Sequence, residues 1–210
     1  MALVKYNNNS ISAVTSASSI PSGALVPIKT LTASSSSTLS FVHGSSDVIF
    51  DATYPMYVFK FINIHASQNE TWFQFQGSVD GGSNYNVSAT TTNFVAHNRE
   101  SGGNEGLNYY PDKDSANSTD YIYIAGWEQG IDNDQSTSGL ITIFNPSDTT
   151  FVKHFISKCN ISHPSDFTAN GYMGGYFNTT SAINAIQFKM TSGNIDSGDI
   201  CLYGLTSWQE

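Results

Sequence analysis

The sequence of this 210-residue chain predicts an all-β fold: a single, jelly-roll-like β-sandwich with long polar loops and an N-terminal arm. Three observations carry that expectation. Short runs rich in β-branched and aromatic residues recur along the chain, turn signals separate them at strand-length intervals, and no helix-length stretch shows a capped 3.6-residue apolar period. Many short strands without helices mean a sandwich or barrel, and a jelly roll absorbs this many strands in one packed double layer. The 13 Phe, 11 Tyr and 3 Trp supply the volume for its core.

Residues 1–22 read as the arm. After Leu3, Val4 and Tyr6 come small polar residues (NNNSISAVTSASSIPSG, Asn7–Gly23) that cannot bury enough apolar area to fold alone. Leu3, Val4 and Tyr6 form the expected attachment segment, with a first strand of the sandwich itself as the other reading of the same residues. The sandwich is expected over residues 23–210.

Its strands follow in order: LVPIKTL (Leu25–Leu31), TLSFV (Thr38–Val42), DVIF (Asp47–Phe50), MYVFKFINI (Met56–Ile64) and TWFQFQGSV (Thr71–Val79). Then come YNVSATTTNFVA (Tyr85–Ala96), YIYIA (Tyr121–Ala125), LITIF (Leu140–Phe144) and FVKHFISKCNI (Phe151–Ile161). YMGGYF (Tyr172–Phe177), INAIQFKM (Ile183–Met190) and DICLYGL (Asp199–Leu205) complete the set. In TWFQFQ, Phe73 and Phe75 point one way and Trp72, Gln74 and Gln76 the other, because side chains alternate along a strand. FVKHFIS alternates less cleanly, which suits a strand covered on both faces. Asp80–Asn84, Asn145–Asp148, His163–Asp166 and Ser192–Gly198 carry turn chemistry. His97–Thr119 shows no strand signal. Together with Trp127–Ser136 it is expected to form one exposed end of the sandwich.

Composition excludes several functions. The net charge is −9 and Arg99 is the single arginine, so no guanidinium cluster exists for phosphates and direct nucleic-acid binding is not expected. No apolar run approaches a membrane span, and Met1–Ser10 lacks a signal-peptide core, so the expectation is a protein made in a cytoplasm without membrane insertion. Two cysteines, Cys159 and Cys201, are too few for a disulfide framework and read as buried free thiols.

The usual catalytic and cofactor spacings are absent: no G-x-S-x-G, H-E-x-x-H, G-x-G-x-x-G or C-x-x-C occurs. The reading is therefore a non-enzyme with no catalytic residue, metal or cofactor. Asp132, Asn133 and Asp134, with Glu128 nearby, make an oxygen-rich stretch that suits a turn better than a cation loop. Glu100, Glu105 and Glu128 have no fixed separation of the kind paired glycosidase carboxylates need. Tyr109, Tyr110 and Trp127 sit in polar surroundings. They are candidate glycan or partner contacts, against the plainer reading that they cap an end of the sandwich or lie at a subunit interface.

Several segments together carry a resemblance: MALVKYNNNSIS at the start, YVFKFINIHAS (Tyr57–Ser67), DGGSNYNV (Asp80–Val87), TTFVKHFIS (Thr149–Ser157) and GYFNTTSAINAIQFKMTSGNIDSG (Gly175–Gly198). They resemble virion-associated structural proteins of tailed phages of marine bacteria, cyanophages included. The block ending in DICLYG (Asp199–Gly204) is the most specific, although Cys201 and the tail Leu205–Glu210 depart from the pattern. The resemblance implies a virion structural protein without fixing its location; the acidic, lysine-poor composition then suits the particle's exterior, with an accessory or decoration protein on the capsid as the expected role and the major capsid protein as its partner. The alternative is a tail-associated or fibre protein that binds a host-surface glycan. Val58, Ile62, Ile64, Ile141, Ile143, Val152 and Ile156 fall on both parities of their strands, so a neighbouring subunit is expected to cover one face. A homo-oligomer follows, and analogy with phage decoration and fibre proteins, which the resemblance suggests, makes a trimer the favoured form.

Overall fold

A computed structural model describes residues 25–206 of the chain. The expected attachment residues Leu3, Val4 and Tyr6 lie outside the described residues. Among the described residues thirteen strands and one 3-10 turn follow in order: β1 (Leu25–Thr32), β2 (Leu39–Val42), β3 (Met56–Ala66), β4 (Phe73–Ser78), β5 (Ala89–Arg99), β6 (Gly106–Tyr109), the turn Pro111–Lys113, β7 (Ala116–Ser118) and β8 (Ile122–Tyr123). The order continues with β9 (Thr137–Phe144), β10 (Lys153–His163), β11 (Phe167–Phe177), β12 (Ala185–Met190) and β13 (Ile195–Leu205). All pairings are antiparallel. One sheet has nine strands, in the order β1-β13-β3-β9-β10-β11-β5-β6 with β7 also paired to β5, and the other runs β2-β12-β4-β8. The all-β sandwich is therefore the observed class. A jelly roll is defined by eight strands in two Greek keys, and this unequal division into nine and four goes no further than the coarser class.

Phenylalanines join the sheets. Phe41, Phe73, Phe75 and Phe188 come from the small sheet, Phe59, Phe61, Phe155 and Phe177 from the large one, and all eight are buried. Ring centroids lie 5.2 Å apart for Phe59–Phe188, 5.4 Å for Phe61–Phe188 and 5.2 Å for Phe75–Phe155, each pair edge to face. That is the geometry aromatic quadrupoles prefer. Gly77 makes one contact possible: a Cβ there would stand 2.9 Å from the Phe177 ring of the opposite sheet.

Two details correct the expected strands. Asp47–Phe50 is irregular, because Gly44, Ser46 and Asp47 take positive φ (78°, 50° and 67°) in a tight turn closed by Val48 N–H donating to the Ser45 carbonyl. Val48 and Phe50 still enter the core from this loop. The His97–Thr119 segment, expected to be irregular, folds back on the edge of the large sheet. β6 pairs with Phe94–His97 and β7 pairs with Ala89 and Thr90, so two short strands share one long edge. Unpaired edge donors and acceptors recruit whatever backbone is near, even where the sequence has weak strand propensity.

Cys159 faces the core on β10, and Cys201 lies on the opposite face of the sheet on β13; both are free and buried. Three strand spacings separate them, about 14 Å, so the geometry excludes a bridge between them. Burial pushes the Cys159 thiol up to about 12.

Candidate functional site

β10 divides its side chains cleanly. Phe155, Ser157, Cys159 and Ile161 are buried, whereas His154, Ile156, Lys158 and Asn160 are exposed on the outer face. Register then builds rows across the large sheet. One row runs Thr92, Gly174, Ile156, Thr142, Val58 and Tyr203 from β5 to β13. The next runs Tyr109, Phe94, Tyr172, Lys158, Leu140 and Lys60 from β6 to β3. On these rows Ile156 is 56% exposed, Phe94 43% and Leu140 37%. Neighbouring rings stiffen the surface: Phe94 stacks on Tyr172 at 5.0 Å with planes 12° apart, and Lys60 stands 4.9 Å over Tyr203.

The outer face is also sculpted. Gly174 has nothing within 4 Å of where a Cβ would stand, and this leaves a depression of about 500 Å³ between Thr90, Thr92, His154, Ile156 and Tyr176. A second depression of about 290 Å³ adjoins it through His154, lined by Phe144 and by Phe151, which is 71% exposed. Apolar side chains with aromatic anchors in shallow hollows are the make-up of a protein–protein contact surface rather than of an ordinary solvated sheet. These two rows carry Lys60 and Lys158 and no carboxylate, in a chain of net charge −9.

The expected parity conflict resolves here. Val58, Ile62 and Ile156 lie on the outer face while Ile64, Ile141 and Ile143 enter the core. Ile62 and Ile64 share one parity in sequence, yet a bulge between Phe61 and Ile64, with Asn63 at φ 50°, rotates one out and the other in. Val152 precedes β10 and lines the second depression.

The candidate contacts Tyr109, Tyr110 and Trp127 separate into two places. Tyr109 is 60% exposed, ends the aromatic row, and donates its hydroxyl to Asp114 Oδ2. Tyr110 and Trp127 come together at the end of the sandwich, 6.2 Å apart, so His97–Thr119 and the segment after Trp127 do meet there. Trp127 is half-buried: His97 stacks on it at 4.7 Å, Phe167 meets it edge to face at 5.5 Å, and His163 lies at 4.8 Å. His163 Nδ1 accepts the Ser165 N–H at 3.1 Å, so its proton sits on Nε2 and is donated to Glu128 Oε1 at 3.2 Å. That bond holds Glu128 below the usual carboxylate range against the opposing cost of burial. Here Trp127 acts as packing that locks two loops to β5, β10 and β11.

Sequence reasoning missed Phe94, Tyr172 and Tyr203 as surface residues. For Phe94 the signal was present: Thr90, Thr92 and Phe94 alternate with the buried Thr91, Asn93 and Val95. What fold and surface define is a class, a two-sheet antiparallel sandwich with one apolar, lysine-bearing sheet face left open by the described residues. Compared with known protein families, curated proteins and solved structures, the chain matches none.

Proposed function

We propose that the protein is a non-enzymatic structural component of a tailed-phage particle, an accessory protein on the capsid exterior that contacts the major capsid protein. It assembles as a trimer through the outer face of the nine-stranded sheet. The observation that carries this reading is that face, where Ile156, Phe94 and Leu140 stand exposed on adjoining rows. Leaving such rows wet costs roughly 25 cal/mol per Å² of apolar surface, and a second copy of the chain recovers it. Lysines on the face and a net charge of −9 favour contact with an acidic surface of the neighbour over like-to-like packing, which means a cyclic assembly. The segments that resemble phage virion proteins supply the biological setting.

Light scattering tests the assembly directly. The expected mass is three times 22.7 kDa, and Ile156→Asp is expected to give a monomer with an unchanged far-ultraviolet spectrum. A wild-type monomer at micromolar concentration defeats the trimer. Electron microscopy of particles tests the setting: hundreds of copies over the capsid are expected, and a few copies on the tail would overturn the capsid assignment.

A further inference from the structure

The small sheet offers a different kind of surface. Beside its edge strand β8, a cleft of about 410 Å³ opens between β4 and the segment linking the 3-10 turn to β8; its lining includes Gln74, Asp112, Asp114, Asp120, Tyr121 and Tyr123. That volume falls within the ~300–1,000 Å³ of ordinary ligand sites. We propose that this cleft binds a neutral saccharide, a reading that stands apart from the outer face of the other sheet.

The cleft is built before any ligand arrives. Asn93 Nδ2 donates to the Lys113 carbonyl at 3.1 Å, Thr91 N–H to the Ser115 carbonyl at 2.9 Å, and Ser115 N–H to Thr91 Oγ1 at 2.8 Å. These bonds fix its far wall to β5. Gln74, only 7% exposed, anchors the near wall by donating Nε2 to the Tyr121 carbonyl at 3.3 Å. Lys113 Nζ stands 5.2 Å over Tyr123 and Lys189 Nζ 4.9 Å over Tyr121, so both rings are held in place.

Chemistry then selects the ligand class. The three carboxylates are held apart by separate contacts: Asp112 pairs with Lys113 at 3.2 Å, Asp114 Oδ2 accepts from Tyr109 while its Oδ1 is buried without a partner among the described residues, and Asp120 accepts from Ser118 at 2.8 Å. Among the described residues no group of three acidic, histidine or cysteine side chains is placed to hold a metal ion. Three aspartates against Lys113 and Lys189 leave a local charge of 2 − 3 = −1, which disfavours an anionic ligand and gives a cationic one the attraction of a single charge. What fits is an uncharged ring bearing many hydroxyls: carboxylate and amide oxygens accept from it, the Tyr123 hydroxyl exchanges bonds with it while Tyr121 keeps its own on Gln187, and the tyrosine faces not covered by lysine pack on its C–H groups.

Saturation-transfer NMR and titration with maltotetraose, chitotetraose and mannotetraose test this, with tetragalacturonate and spermidine as charged contrasts. At least one neutral oligosaccharide is expected to bind with millimolar or tighter affinity. Tyr123→Ala and Asp120→Asn are each expected to weaken it about tenfold. Asp120 is exposed, so the second substitution keeps the fold if the first does not. Ile156→Asp, on the other sheet, is expected to leave binding unchanged whatever it does to assembly. Absence of binding by all three neutral probes, preference for either charged probe, or binding that survives both cleft substitutions would each overturn the proposal.

Discussion

The two faces of the nine-stranded sheet are made by the same strands, with the same backbone bonds, and come to opposite ends. Along β10, Phe155 meets Phe75 and Phe177 at 5.2 and 5.0 Å inside the sandwich, while Ile156, the next residue, is 56% exposed. Along β11, Phe177 is sealed under the small sheet, whereas Tyr176 borders an open hollow. The small sheet, four strands against nine, supplies one cover for one face. Apolar residues therefore carry two meanings here. Inside they hold the chain together; outside they are available to hold chains to each other.

The largest expected effect breaks the inner face. Phe188 contacts Phe41, Phe59, Phe61, Phe73 and Phe75, so Phe188→Ala removes the hub of the aromatic cluster and leaves a cavity. A loss of ~3–5 kcal/mol is expected. Phe94→Ala on the outer face loses one stacked cross-strand partner, Tyr172, and is expected to cost ~1 kcal/mol or less. Urea denaturation at protein concentrations below association measures both, since assembly would otherwise add to apparent stability. Equal losses would erase the distinction between the faces.

Glycines sharpen the same contrast at smaller scale. A Cβ on Gly139 would stand 2.4 Å from the Lys158 carbonyl oxygen and 2.6 Å from Cys159 Cα, both backbone atoms that cannot step aside. Gly139→Ala is expected to cost ~1–3 kcal/mol through forced displacement of β10 against β9. Gly174 has no atom within 4 Å of its added carbon. Gly174→Ala is expected to be neutral or stabilising by up to ~1 kcal/mol, since alanine loses less backbone freedom on folding. The same substitution partly fills the outer hollow, so it should weaken assembly while raising the melting temperature measured at concentrations below association, where assembly adds nothing to it. A fall in melting temperature under those conditions would mean the hollow is already occupied within the chain.

Much of this was legible in the residues, and the failures have physical causes. Strand positions followed from alternation and turn chemistry, and Phe73 and Phe75 point inward as their spacing predicts. Gln74 and Gln76 point the other way yet are buried, because residues 119–121 cross over them and offer carbonyls: Gln76 Nε2 donates to Asp120 at 2.8 Å. No local pattern announces a covering loop that lies more than 40 residues downstream. FVKHFIS (Phe151–Ser157) reads as a strand covered on both faces; among the described residues one face is covered, and the apolar residue that blurs the pattern is Ile156. The bulge at Asn63 hid the split between Ile62 and Ile64, since parity counting assumes an unbroken pleat. For the candidate contacts, residue type placed Tyr109, Tyr110 and Trp127 on polar segments. Only the tertiary packing of His97, His163 and Phe167 shows that Trp127 is half-buried in an aromatic cluster.

The smallest expected effect concerns acid, and it tests whether either face has any electrostatic part in stability. Lys153 is the one buried charged residue among those described, its Nζ donating to the Phe151 carbonyl at 2.6 Å and the Thr180 carbonyl at 3.2 Å. The carboxylates with shifted titration stand in turns and loops instead. Bonds from Asn84 and Ser78 bring Asp80 down to about 2. Asp148 is lowered by the backbone N–H groups of Phe151 and Thr150, and Asp51 by Thr53. A carboxylate lowered in the folded state stabilises the fold above its unfolded value, near 4, and loses that contribution as pH falls through its folded value. The melting temperature is therefore expected to hold from neutral pH down to about 4 and then fall between about 4 and 2. In Asp80→Asn it should start slightly lower at neutral pH and fall less steeply through that window. A wild-type profile that declines already between pH 7 and 5 would contradict this, because the lowered carboxylates of the turns lose their contribution only below about 4.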